Sequence, residues 1–454
     1  MFVLLAQQTG PEPFPTPDFI GGPPHGSAQL GGGVRVGLVV FYLIMVLLNL
    51  GFAGFQCRRD PRKFLLGVIF AGVFLLHAAI FAPFGIPLPA GIKHFTTWLM
   101  GLYGGQMGPI LYTVVSVIAF LAFLRYRQFF TEPAVAWTIL NLGLLAAGWA
   151  MTDAEFRKIV TKEDNVPISI LILSVGFFTW LGMRKAVIND ARLAQGEPPL
   201  EKLEDEKVLV WPDLVYTELI CMVVCTFVLV VWSVFLKAPL EQPASSAKAP
   251  NPSKAPWYFL GLQEMLVYYD PWMAGVVLPT IIIVGLIAMP YIDFNQKGNG
   301  YYTFGQRKFA WFMFLLGFVV MWVTLIVLGT FLRGPNWNFF GPFEYWDVHK
   351  VLPLNNVNLS EYFWVNLMGS TVKDKNPIVR EMPGIILVLG YLFLLPPLLA
   401  KTVMRGFFIK MGFIRFFLLV NLLQFMAALP IKMLLRWAFN LKYIVYFPEI
   451  FFNI

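Results

Sequence analysis

The chain has 454 residues, 58% of them hydrophobic and 13% charged, with a formal net charge of +8. That balance excludes an ordinary water-soluble domain, in which about a quarter of residues carry charge. It leaves a membrane protein whose positive charge serves loop orientation and contact with anionic lipid, with nothing that points to nucleic acid.

Residues 1–33 are rich in Gly and Pro and lack a basic start leading into an apolar core, so they read as a mature N-terminal loop segment rather than a signal peptide. Apolar runs long enough to cross a hydrocarbon core follow at 34–56, 64–84, 97–124, 133–150, 166–184, 213–236, 273–291, 309–332, 383–400 and 413–429. The fold class is therefore all-α, a polytopic membrane protein with about ten transmembrane helices. Texture divides the chain further. Residues 34–186 form a five-helix N-terminal membrane region, and 187–210 a charged linker. Residues 211–333 hold three spans and an aromatic loop; 334–454 hold a long polar loop, two helices and a tail. In that tail Lys432, Arg436 and Lys442 punctuate an apolar run, which predicts an amphipathic helix lying in the membrane interface.

Arg58, Arg59, Arg62 and Lys63 crowd the first connection, Arg125 and Arg127 the third, Lys297, Arg307 and Lys308 the seventh, and Lys401, Arg405 and Lys410 the ninth. The positive-inside rule makes these odd connections cytoplasmic. Both termini and the long connections at 237–272 and 333–382 are then expected in the periplasm of a bacterial inner membrane.

Metal-ligand types are sparse. Cys57, Cys221 and Cys225 show neither a haem-attachment nor a zinc spacing and read as small apolar residues. Glu344, Asp347 and His349 fall close together in the last long loop, but docking of a partner is the stronger reading of that loop and no metal site is expected. The five N-terminal spans hold almost no ionisable residues, which argues for a scaffold against a proton or ion pathway. Glu218, early in the sixth span, is the clearest intramembrane carboxylate. It suits proton uptake at a cytoplasmic-side quinone site, or pairing with a basic group of another subunit.

The middle zone carries the chemistry. A proline-rich stretch, with Pro243, Pro250, Pro252 and Pro256, reads as extended chain. It feeds an apolar surface helix from Trp257 towards Tyr269, ended by Asp270-Pro271. Such a segment can wall an aromatic pocket at the lipid surface, with the carboxylate of Glu264 beside it. The run Trp211-Pro212-Asp213-Leu214, then Ala238-Pro239-Leu240-Glu241-Gln242-Pro243-Ala244 and Ala255-Pro256-Trp257-Tyr258-Phe259, resembles the cytochrome b C-terminal domain and subunit IV of cytochrome b6f complexes. The likeness extends through the next two spans to about Arg333.

This resemblance implies a membrane subunit of a quinol:cytochrome c oxidoreductase, not catalytic alone, contributing a wall of the quinol-oxidation site. Pro256, Trp257, Tyr258, Phe259 and Leu262 would line the quinol. In the family a glutamate precedes the Trp-Tyr pair and is thought to accept the quinol's proton; here Ala255 and Pro256 stand before it. Glu264 is about two helical turns beyond Trp257, hence on a similar face. The expectation is that Glu264 accepts the proton while Tyr258 hydrogen-bonds the head group; the alternative is a surface glutamate paired with lipid or a neighbouring subunit. Loops of this variant type resemble those of menaquinol-using bacteria. The family's two b haems need paired histidines, whereas His25, His77, His94 and His349 form no such pair and His77 reads as a hydrogen-bonded interior residue. No haem ligated by this chain is expected. The resemblance places the b haems on a cytochrome b partner and the 2Fe-2S centre on a Rieske protein, with a c-type cytochrome beyond. A structural subunit that keeps this fold without quinol chemistry is the alternative.

Overall fold

The structure, a computed structural model, describes residues 30–203, 206–235, 243–247, 249–352 and 355–454. His25 with most of the N-terminal segment, the stretch 237–242 and two acidic residues of the charged linker (Glu204, Asp205) lie outside the described residues. Ten described helices are long and apolar enough to span a membrane. In chain order they are α1 (Gly32–Gln56), α2 (Pro61–Phe84), α3 (Met107–Arg125), α4 (Pro133–Ala150), α5 (Val166–Ala194) and α6 (Val210–Phe235). The short helix α7 (Trp257–Met265) intervenes before α8 (Met273–Ile292), α9 (Lys308–Leu332), α10 (Pro377–Lys401) and α11 (Arg405–Phe439). The protein is an all-α polytopic membrane protein.

Two compact units divide these elements, the first comprising 1–88, 126–250 and 298–306, the second 89–125, 251–297 and 307–454. The third span thus groups with the C-terminal half, although continuity of sequence places it in a five-helix N-terminal region. Close packing decides this. Ile110 and Tyr112 of α3 pack against the core shared by α9 and α11, and Phe120 meets Phe312 of α9 at 5.4 Å. The third span also begins later than its apolar run, since Ala90–Gly101 is a separate helix.

In the first unit α1 and α2 pack where Gly67 meets the backbone of Asn49 and Ala53. Asn49 is buried there and joins α4: its Nδ2 donates to Asn141 Oδ1 at 2.7 Å, and Trp137 Nε1 donates to its Oδ1 at 2.8 Å. An amide inside a membrane helix must find such partners, because lipid offers none. Asn49→Leu is expected to lower stability by about 1 kcal/mol, read as a lower melting temperature in detergent. His77 is buried, its Nδ1 donating to the Val73 carbonyl at 2.8 Å while its ring stacks on Phe81 at 4.4 Å. On the polar side α5 runs on to Ala194, so the start of the expected linker is helical. There Asn189 donates to Glu201 and the Tyr302 carbonyl, and Asp190 accepts from Gly305 N. One span differs from the rest: α6 buries no residue at all.

The second unit has its core among Met265, Tyr268, Tyr269 and Met273, Leu325 and Leu328 of α9, and Leu429, Met433 and Trp437 of α11. The chain breaks helical geometry at Gly412 (φ 75°), a left-handed conformation open to glycine. Beyond it α11 continues to Phe439, ten residues past the apolar run read from sequence. This corrects the expected interfacial tail. Lys432 and Arg436 belong to the last turns of the span and are buried, with Lys432 Nζ donating to the Lys442 carbonyl at 2.7 Å and Arg436 to those of Asn355 and Asn440. Lys442 donates to the Val267 carbonyl at 3.2 Å. A cationic stripe on an apolar helix looks alike whether it meets headgroups or buried carbonyls.

Candidate functional site

The site is built on the proline-rich approach to α7. Pro256 is the residue just before the first helical residue, Trp257, and its fixed φ sets the entry of the chain into the helix. Gln263, two turns on, folds the approach back on the helix: Ala255 N donates to its Oε1 and its Nε2 donates to the Ser253 carbonyl, both at 2.8 Å. Asn251 and Asn336 exchange two hydrogen bonds, at 3.1 and 2.8 Å, and Lys254 Nζ donates to the Thr330 carbonyl at 2.7 Å. The segment 251–256 is thereby pinned to α9 and the loop that follows it.

Period 3.6 then sorts the side chains of α7 into two faces. Inward go Leu260, Gly261 and Glu264, all buried. Gly261 lies against the Trp322 indole, where a Cβ would stand 3.1 Å from the ring, and Leu260 fills the space over Gly329 of α9. Outward stand Tyr258 and Phe259, each 52% exposed, with Leu266 on the same side. Their rings are 4.7 Å apart, and Trp257 meets Tyr258 edge-on at 5.7 Å. Pro256 is exposed and Leu262 half-buried against the core. The expected quinol-lining residues thus divide: Pro256, Trp257, Tyr258 and Phe259 form a continuous exposed aromatic wall, while Leu262 supports it from within.

Glu264 follows Trp257 by two turns, as its spacing predicts, but whereas Trp257 at the helix start keeps 36% exposure, Glu264 turns into the protein and is 0% exposed. Its carboxylate accepts from Arg333 Nε at 3.0 Å, from Arg333 Nη2 at 2.8 Å and from the Tyr268 hydroxyl at 2.9 Å. It is therefore no surface glutamate facing lipid or a neighbour. Arg333 completes its own set by donating to the Trp337 carbonyl at 2.7 Å and lying 3.6 Å over the Phe339 ring. Burial opposes charge on Arg333, yet the Glu264 carboxylate beside it raises its pKa, so the guanidinium stays charged. Burial, and then the Glu264 charge, push the Tyr268 hydroxyl well above the phenol range, so it remains a donor. Arg333 escaped sequence reading as a site residue. The signal available was general: a carboxylate on an inward helix face requires a cation, and Arg333 ends the adjacent span.

The other candidates stand apart. Glu218 is exposed in the first regular turn of α6, where a carboxylate suits the helix dipole. In the loop after α9, Glu344 accepts from Gly341 N and Lys350 Nζ, while Asp347 accepts from the backbone N–H of His349. These three do not converge, and among the described residues no group of three or more His, Cys, Asp or Glu side chains is placed to hold a metal ion.

No solved structure matches the chain. Residues 243–343 match the family model described as Cytochrome b(C-terminal)/b6/petD, less than a quarter of the chain. The match takes in the approach segment, α7, α8, α9 and the loop that carries Arg333, and extends ten residues past Arg333. The motif at Trp211 and the whole of α6 fall outside it. Residues 243–343 of this membrane protein are therefore similar to the C-terminal domain of cytochrome b.

Proposed function

We propose that this chain is a membrane subunit of a quinol-oxidising electron-transfer complex, with α7 and its approach segment forming one wall of the quinol-oxidation site. The observation that carries the reading is the exposed wall of Pro256, Trp257, Tyr258 and Phe259 on a rigidly pinned helix, inside the stretch that matches the family. Aromatic faces suit a flat quinone ring, and the Tyr258 hydroxyl can donate to its oxygen. A wall open on its outer side needs a second surface to enclose a ligand, which fits a site completed by a haem-bearing cytochrome b subunit. Electrons would leave to a Rieske 2Fe-2S centre and a c-type cytochrome docked near the 333–382 loop. Menaquinol is the proposed quinol, and a bacterial inner membrane with both termini periplasmic the proposed setting. Glu218 and the unburied α6 would face a partner or a cytoplasmic-side quinone.

Two roles compete for Glu264. As proton acceptor it would have to release Arg333; as anchor it holds the wall through that same pair. The paired, fully buried geometry favours the anchor. Glu264→Gln separates them through quinol-dependent acceptor reduction measured across pH in the intact complex. A proton-accepting role predicts a loss of about 10²–10⁴-fold and disappearance of the acidic limb of the profile. An anchoring role predicts lower stability and rate with the profile's shape unchanged. Tyr258→Ala with Phe259→Ala is expected to reduce quinol oxidation at least about ten-fold while leaving assembly intact, because both side chains are exposed. Normal quinol oxidation in that variant would remove the wall from the site. The scaffold alternative, with no quinol chemistry, draws support from Ala255 and Pro256 standing where the family has its glutamate. It predicts that same normal rate.

A further inference from the structure

A second feature lies in the first unit, where the connection before α2 meets the start of α4. A cavity of about 390 Å³ opens there, lined by Asp60, Arg62, Lys63 and Glu132 together with Leu66, Val135 and Thr138. Both helices begin at this point, α2 behind Asp60 and α4 behind Glu132, so Leu66, Val135 and Thr138 stand in the first two turns of two apolar spans, next to the charged residues that precede or open them.

The cavity's charges are unequally used. Lys63 Nζ lies 3.3 Å from Asp60 and 3.2 Å from Glu132, and Arg184 approaches Glu132 at 3.6 Å. Asp60 also accepts from the backbone N–H groups of Arg62 and Lys63, capping α2. Both carboxylates are thus engaged. Arg62 is exposed and, among the described residues, forms no ion pair, and its neighbours Arg58 and Arg59 are exposed beside it. The charge left over at the cavity is positive, and Leu66 and Val135 give it an apolar side.

We propose that this cavity binds an anionic phospholipid, its phosphodiester at Arg62 and the head of an acyl chain along Leu66 and Val135. A guanidinium offers the paired donors that a phosphate oxygen pair accepts. A basic cleft with an apolar side, at the start of two apolar spans, accommodates both ends of one lipid molecule, which neither a free anion nor a hydrocarbon would use fully. The site does not depend on the electron-transfer reading.

The test uses the full chain in mild neutral detergent, with phosphatidylglycerol, phosphatidylcholine or inorganic phosphate added, read by thermal shift and by native mass spectrometry of retained lipid. The expected result is stabilisation and retention with phosphatidylglycerol, weakened at least ten-fold in apparent affinity by Arg62→Glu and by Val135→Trp. Arg62 is exposed, so its variant tests binding without a folding defect; basal melting temperature serves as the control. Equal stabilisation by inorganic phosphate, with no dependence on Val135, would overturn the lipid assignment. Retention unaffected by both substitutions would overturn the site.

Discussion

Arg333→Met is expected to be the most damaging single exchange in the site region, lowering stability by about 3–5 kcal/mol. It strips Glu264, fully buried, of the cation that pairs with it and, among the described residues, of two of its three hydrogen-bond donors, leaving the Tyr268 hydroxyl as the third. A charge left alone in the interior is costly, whereas removing both members of a pair costs little. The double variant Arg333→Met with Glu264→Leu should therefore recover most of the loss. Melting in detergent measures the stability, and protease cleavage between 251 and 262 reports release of the wall. A single variant as stable as the parent would show that the pair does not hold α7. Recovery in the double variant without recovery of quinol oxidation would assign Glu264 a role beyond anchoring.

The second large effect is expected at Gly384, in α10. A Cβ there would lie 2.0 Å from the Ile444 carbonyl oxygen, which is backbone and cannot rotate away. Gly384→Ala must lift the C-terminal segment off the helix, and several interactions go with it. Glu381, 1% exposed, accepts from Tyr446 N at 2.9 Å, while Arg380 pairs with Glu381 and Glu449 and donates to the Tyr446 carbonyl. Overpacking against backbone together with a half-stripped buried carboxylate should cost about 3 kcal/mol or more. Gly390→Ala on the same span is the control: nothing stands within 4 Å of its Cβ position, so that variant should melt at or slightly above the parent. Equal melting of the two would mean that the 441–454 segment does not pack against α10 as described.

How much of this was legible in the sequence depends on the kind of signal involved. Spans were readable because apolar length is a local property, and Trp257 to Phe259 were readable as a motif. The orientation of α7 was half readable: the seven-residue spacing set Glu264 two turns beyond Trp257, but no local pattern says that the ring at the helix start stays exposed while the carboxylate two turns on is enclosed by protein. Its partner is 69 residues away at the end of another span. Lys432 and Arg436 misled for the same reason, since their periodicity fits an interfacial helix as well as a buried one capped by carbonyls. For α6, hydropathy is equally satisfied by lipid, by this chain or by another subunit, so its lack of burial within this chain became visible only in three dimensions. The grouping of α3 with the second unit rests on contacts of Ile110, Tyr112 and Phe120 that sequence order conceals.

Membership of a quinol-oxidising complex can be checked by purifying the protein from native membranes in mild detergent. Haem spectra and quinol-dependent cytochrome reduction would be read on the material that carries this chain. The expected result is b-type haem on an accompanying subunit, a Rieske-type protein, and reduction that Tyr258→Ala with Phe259→Ala suppresses. A chain that emerges alone and colourless, under conditions in which other membrane complexes stay intact, would contradict it.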